Sequence, residues 1–191
     1  MQKISNTMQR TATLILKLFG WKVTGIIPPE KKFVCIVAPH TSFWDFIWGR
    51  LGYWSIGVKA NFLIKKEFFV FPIKRMLKNM GGVPINRKQA RNTVLYCVDL
   101  FKTKDRLALT ITPEGTRKLA VKWKKGFYYI AKQADVPLYI GFIDYQKKET
   151  GILTKFDITG DFEKDFAEIQ TILRGHVAKY PENYSLQGQR I

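Results

Sequence analysis

The sequence predicts a single α/β domain, built as a central, mostly buried mixed sheet flanked by helices. Two patterns and one absence carry this. Short apolar runs rich in branched residues, such as Phe33 to Ala38, alternate with longer segments whose apolar residues recur every three or four positions. No internal repeat, low-complexity tract or long linker divides the 191 residues, and 46% of them are hydrophobic, enough to fill one core.

The first segment, Ile4 to Trp21, reads as an amphipathic helix. Ile4, Met8, Ile15 and Phe19 fall near one face, Leu14 and Leu18 join them, and Lys3, Arg10 and Lys17 add positive charge. Such a helix can cover the core or lie in the plane of lipid headgroups. With its lead-in it occupies residues 1–30, ahead of a main domain over 31–191. After Pro28-Pro29, the unbroken apolar run Phe33 to Ala38 has the character of a buried strand. Pro39-His40 ends it, and aromatic-rich Phe43 to Trp54 follows as a helix. A strand is predicted over 60–64, a short helix over 73–80 and a brief strand at Val83-Pro84-Ile85. A helix over 88–103, a strand from Arg106 to Ile111, a helix around 124–134 and strands over 137–143 and 152–158 continue the alternation. The last helix is the most regular. Phe162, Phe166, Ile169, Leu173 and Val177 step onto one face, and Asp161 and Glu163 lie in its first turn, where carboxylates complement the helix dipole. His176 falls on the same predicted helix and reads as a boundary residue with no catalytic part.

Near the N-terminus the longest unbroken apolar run is Leu14-Ile15-Leu16, with Lys17 directly after it. A secretory signal needs roughly 7–15 apolar residues and a membrane span about 20. The expectation is a cytoplasmic protein that meets the inner face of the membrane peripherally. Cys35 and Cys97 lie in apolar stretches without CxxC or ligand spacing, so they read as buried free thiols in a reducing compartment. No metal ligand set is suggested.

Charge narrows the partners. The chain has 32 Lys and Arg against 15 Asp and Glu, a formal net charge of +17, which attracts polyanions over a Debye length of about 8 Å. Nine of the basic residues lie between Lys59 and Arg91 with one acid, Glu67; eight more lie between Lys102 and Lys125 with Asp105 and Glu114. These segments read either as a solvated basic surface or as a site that captures anionic lipid. In the second case the interleaved Phe68, Phe69, Phe71, Trp123 and Phe127 could meet the headgroups. Nucleic acid would also welcome the charge, but no helix-turn-helix, zinc-finger or RNA-recognition signature accompanies it, so no nucleic-acid partner is expected.

Three clusters carry chemistry. His40 follows a predicted buried strand and Asp45 lies five residues on, in His40-Thr41-Ser42-Phe43-Trp44-Asp45. If a helix begins after His40, Asp45 can fold back onto the ring, fix its tautomer and leave the other nitrogen as a general base. The bland alternative is a surface histidine beside a helix-capping aspartate. Pro113-Glu114-Gly115-Thr116-Arg117 also follows a strand. Its glycine permits close backbone approach, Glu114 and the Thr116 hydroxyl can bond an acceptor's hydroxyls, and Arg117 suits a phosphate; a tight turn with solvated charges is the alternative. Gly81-Gly82-Val83-Pro84-Ile85-Asn86-Arg87 places Arg87 directly after a short strand.

Together these resemble the glycerolipid acyltransferases, the lysophosphatidic acid acyltransferases and their relatives. The family order is a His-x4-Asp block, an apolar segment ending in Arg, a Pro-Glu-Gly-Thr-Arg block and an apolar block around a proline, here Val136-Pro137-Leu138-Tyr139-Ile140. The similarity runs from about Phe33 to Phe142. The five-residue block is the specific part, since a chance match is on the order of one in a million per position.

The resemblance implies that His40 deprotonates the acceptor hydroxyl as it attacks a thioester, with Asp45 orienting His40. It also implies that Arg87 and Arg117 hold the acceptor phosphate while Glu114 and Gly115 shape its pocket. The implied co-substrates are an acyl thioester donor, acyl-CoA or acyl-carrier protein, and a lysophospholipid acceptor, with no further cofactor and an anionic membrane surface as partner. No GxSxG elbow is present, which favours direct transfer over a serine acyl-enzyme. Pro39 stands where many members carry Asn, and Lys118 where many carry Ser, so other lysolipids, including amino-acid-headed ones, stay open as acceptors. A non-catalytic basic module for membrane or nucleic acid is the alternative from another class.

Overall fold

The structure, a computed structural model, describes residues 4–86 and 89–186. In chain order the elements are α1 (Asn6–Leu18), β1 (Lys22–Gly25), β2 (Lys32–Ala38), α2 (Phe43–Ser55), β3 (Ala60–Lys65), α3 (Ile73–Asn79) and β4 (Gly82–Ile85). They continue with α4 (Ala90–Thr103), β5 (Leu107–Ile111), α5 (Gly126–Ala134), β6 (Leu138–Asp144), β7 (Glu149–Phe156) and α6 (Phe162–Leu173). The seven strands form one sheet in the order β1-β7-β6-β2-β5-β3-β4. Strands β4, β3, β5, β2 and β6 run parallel to their neighbours; β7 turns back antiparallel on β6 and β1 pairs parallel with β7. The sheet is therefore mixed, as the sequence predicts.

Central β2 shows why an unbroken apolar run was required. Val34, Ile36 and Ala38 face one layer, with Cys97 and Phe101 of α4, Phe127 and Tyr128 of α5, and Ile169 and Leu173 of α6. Phe33, Cys35 and Val37 face the other, with Ala12 and Leu16 of α1 and Trp48 and Leu51 of α2. A strand covered on both faces has no solvent side for polar residues. Both cysteines are buried and unpaired.

Several expectations change at the element ends. The first helix is shorter than Ile4 to Trp21 and buries Ala12 and Leu16, while Met8, Leu14, Leu18 and Phe19 stay exposed. Its protein-facing stripe is thus narrower than its apolar one. Strand β1 was not predicted: within 1–30, residues 22–25 join the sheet as an edge strand, too short and polar (Lys-Val-Thr-Gly) for periodicity to reveal. The last helix stops at Leu173, with Arg174 as its cap and Gly175 at φ 93° turning the chain. His176 and Val177 lie beyond it; His176 Nδ1 instead donates to the Leu173 carbonyl at the end of the helix, 3.0 Å away, and its ring packs on Phe142. Trp123 and Phe127, read as possible interface aromatics, are buried. Phe127 belongs to the core face of α5, and Trp123 is wedged between Phe166 and Tyr184.

The docking of β1 depends on one close backbone approach. A Cβ at Gly151 would lie 1.8 Å from the Thr24 carbonyl oxygen, far inside van der Waals contact. Gly151→Val is therefore expected to detach β1 from β7. Hydrogen exchange should show protection lost at residues 22–25 and kept in β2, β5 and β6; unchanged protection at 22–25 would refute this account of the edge.

Candidate active site

The site forms at the carboxyl end of β2, where α/β sheets place their functional loops. After Ala38 the chain leaves the sheet, and Ser42 caps α2 in a reciprocal capping box with Asp45. The cap turns the Asp45 carboxylate back over the loop. Its Oδ2 accepts the backbone N–H groups of Thr41 and Ser42, each at 2.7 Å, and lies 3.1 Å from His40 Nδ1. Asp45 is 3% exposed and the His40 side chain 21%. Asp45 therefore caps the helix and at the same time contacts the histidine ring. The carboxylate only accepts, which puts the proton on Nδ1 and leaves Nε2 as the ring's acceptor.

Tyr145, absent from the sequence reading, completes this arrangement. It follows β6, and its hydroxyl donates to Asp45 Oδ1 at 2.6 Å. Burial, then the hydrogen bond to Asp45 and its charge, push the phenol pKa well up, so Tyr145 remains a donor across the physiological range. Its own backbone N–H is held by the Val177 carbonyl, and its ring packs edge-on against Trp21. The one available signal was an aromatic directly after a predicted strand; the partner lies 100 residues away. The chain beyond α6 adds a second brace, the Tyr180 N–H donating to Thr41 Oγ1 at 3.2 Å.

The Pro113-to-Arg117 block approaches from β5, the neighbour of β2. Glu114 was read as an acceptor-binding side chain. It turns inward instead: it is 4% exposed, and its Oε1 accepts the His40 backbone N–H at 3.2 Å. Its Oε2 is buried without a hydrogen-bond partner. Burial above all, reinforced by the Asp45 charge and opposed by the His40 N–H, raises its pKa to about 8. Gly115 has φ 68°, the left-handed turn that returns the chain to the surface. Thr116 and Arg117 are exposed on that loop, and the Thr116 hydroxyl accepts the Lys118 N–H at 3.2 Å. The structure thus brings His40, Asp45 and Glu114 together and leaves Thr116 and Arg117 on the rim. Arg87 lies outside the described residues. Among those described, no group of three His, Cys, Asp or Glu side chains could hold a metal ion. What the cluster offers chemically is a half-exposed imidazole with one nitrogen locked and the other free for a proton.

A family model described as Acyltransferase matches residues 21–140. The chain is 30% identical, over 118 residues, to a 1-acyl-sn-glycerol-3-phosphate acyltransferase of Streptococcus pneumoniae, a match that covers 59% of this chain and 42% of that relative. The chain thus spans less than half the length of this curated relative. Its fold is similar to the crystal structure of the 1-acyl-sn-glycerophosphate (LPA) acyltransferase PlsC from Thermotoga maritima. That match has a TM-score of 0.60 and 16% identity, and covers 87% of this chain and 75% of the other.

The raised Glu114 carboxyl has a consequence for stability. Its pKa is about 8 folded against an ordinary 4.5, so between these values the folded chain keeps a proton that the unfolded chain has released. Stability then falls as pH rises through this window, with a slope of at most about 1.4 kcal/mol per pH unit from this group. Glu114→Gln keeps an acceptor for the His40 N–H and has no proton to lose. Thermal unfolding from pH 5 to 8.5 should show a shallower decline in Tm for the variant than for the wild type; parallel curves would remove Glu114 as the titrating group.

Proposed function

The chain belongs to the acyltransferase family, and on that premise we propose that it moves a fatty acyl group from an acyl thioester to the hydroxyl of a lysophospholipid. The acceptor is of the 1-acylglycerol-3-phosphate type, and the reaction serves phospholipid biosynthesis. The donor is acyl-CoA or acyl-carrier protein, a co-substrate rather than a resident cofactor. The name of the pneumococcal relative supports the acceptor. The observation that carries the reaction is the 3.1 Å contact between His40 and the buried Asp45 at the end of a central strand.

His40 Nε2 takes the acceptor's hydroxyl proton as the oxygen attacks the thioester carbonyl carbon. The tetrahedral intermediate collapses with cleavage of the carbon–sulfur bond, and the imidazolium returns the proton to the departing thiolate. The products are an ester and a free thiol, with no net proton change. Asp45 holds the tautomer and stabilises the imidazolium. Glu114 positions the loop through the His40 backbone, and Tyr145 positions Asp45. Arg117 and Arg87 are assigned to the acceptor phosphate, whose paired oxygens suit a guanidinium. The reaction takes place at an anionic membrane surface approached from the cytoplasm. No described helix is long and apolar enough to cross a membrane.

Purified protein is expected to convert labelled lysophosphatidic acid and a long-chain acyl thioester to product, with His40→Ala reducing kcat/KM by roughly 10²–10⁴. Equal product from both would eliminate His40 as the base. Product only from another lysolipid, still abolished by His40→Ala, would keep the chemistry and change the acceptor. Tyr145→Phe removes one charge-assisted hydrogen bond, so kcat should fall by about tenfold with KM little changed; a change confined to KM would place Tyr145 in acceptor binding instead.

A further inference from the structure

We infer that the segment after α6 forms a wall of the site, and that Lys179 on it holds a substrate phosphate on the side of His40 away from Arg117. Gly175 turns the chain at φ 93°, and residues 177–185 then cross the carboxyl ends of β6, β2 and β5 in turn. The Val177 carbonyl accepts the N–H of Tyr145, after β6, at 2.9 Å. The Tyr180 N–H donates to Thr41 Oγ1, after β2, at 3.2 Å. The indole N–H of Trp123, after β5, donates to Ser185 Oγ at 3.0 Å, and Tyr184 stacks on the same ring. Ala178, Tyr184 and Leu186 are buried in the core and hold the crossing down at both ends. Between them Lys179 and Tyr180 stay partly exposed. The whole crossing lies beyond the residues that the family model matches.

An aromatic face sets the position of the Lys179 ammonium. Its Nζ lies 5.2 Å from the centre of the Trp44 ring and 5.9 Å from that of Tyr180. Trp44 directly precedes Asp45 in the first turn of α2, so the charge is held on the segment that carries the proposed base. A cation placed over a ring keeps its N–H donors, and an ammonium has three. The three ion pairs among the described residues, His40–Asp45, Lys125–Glu163 and Lys155–Glu30, do not include Lys179. The one acid of the crossing segment, Glu182, is exposed. A half-buried, positioned cation with donors left over suits an anion, and phosphate is the anion that both proposed substrates bring. The side on which Lys179 stands tells which phosphate it meets. Trp44 stacks on Trp48, Trp48 stacks on Trp21, and Tyr145 packs edge-on against Trp21, which places Lys179 on the β6 side of His40. Arg117 emerges after β5, on the other side of β2. With Arg117 assigned to the acceptor phosphate, Lys179 meets the phosphate of the pantetheine arm, which carries the thioester in acyl-CoA and acyl-carrier protein alike. This inference rests on the reaction proposed above.

Equilibrium binding is measured for palmitoyl-CoA without acceptor, and for detergent-dispersed lysophosphatidic acid without donor. Lys179→Met keeps most of the side chain on Trp44 and removes the charge, and it should weaken palmitoyl-CoA binding about tenfold. Lys179→Arg should restore binding to within about twofold of the wild type. The affinity for S-palmitoyl pantetheine, which has no phosphate, should be the same in all three proteins. In turnover the Met variant should raise the KM for palmitoyl-CoA by a larger factor than it lowers kcat. A charge-dependent loss on lysophosphatidic acid alone would keep Lys179 as the phosphate residue and move it to the acceptor. Four results would overturn the inference: equal affinities of wild type and Met variant for both ligands, binding of neither ligand by the wild type, equal losses in the Met and Arg variants, or an equal loss on the phosphate-free thioester. The last two would show Lys179 acting as a clamp on Trp44 and nothing more. Wild-type protein that binds palmitoyl-CoA through Lys179 but esterifies no lysolipid would sink the reaction alone. Ester formed by wild type and Met variant with the same KM values would sink Lys179 alone.

Discussion

The structure around the site depends on one buried carboxylate. Asp45 receives four hydrogen bonds, from the Thr41 and Ser42 backbone amides, the His40 ring and the Tyr145 hydroxyl. Two of these start α2, one orients the histidine, and one binds the loop after β6. A buried carboxylate is stable only when its lone pairs are satisfied. Meeting that requirement obliges the helix cap, the β2 loop and the end of β6 to adopt a single arrangement. The geometry of the proposed base is thus a by-product of neutralising the cost of burying Asp45.

Glu114 solves a different problem in the same few ångströms. It lies close enough to Asp45 for the latter's charge to oppose its ionisation, and it is almost as deeply buried. With its pKa raised to about 8, it stays largely protonated at neutral pH, and its Oε1 serves as an acceptor for the His40 backbone. Two neighbouring carboxyl groups are therefore held differently, Asp45 by its four donors and Glu114 by burial that keeps it largely neutral. His40 is fixed through its ring by the first and through its backbone by the second.

The same topology relates the site to its surroundings. Parallel strands deliver their loops to one edge, so the residues proposed for chemistry emerge together. The two core layers pack on opposite faces of the sheet behind this edge. Ten of the chain's 32 Lys and Arg fall in residues 65–78 and 117–125, at or after the carboxyl ends of β3 and β5.

The sequence by itself determined the α/β class, the buried central strand and the core face of the last helix, because each is written in local periodicity. It also singled out His40, Asp45 and the block from Pro113 to Arg117, because residue type and spacing are local too. Strand β1 was not legible, since four polar and small residues form a strand only when Gly151 lets a partner approach. Tyr145 escaped because its partner is 100 residues distant. The direction of Glu114 was decided by the packing of β5 beside β2, which buries its side chain under the His40 loop and leaves Arg117 outside. Trp123 and Phe71 are equally aromatic and both have lysines close by in the sequence, yet one is core and the other is 95% exposed. Which of two similar side chains the fold covers depends on what lies across from it, and only the tertiary structure supplies that neighbour.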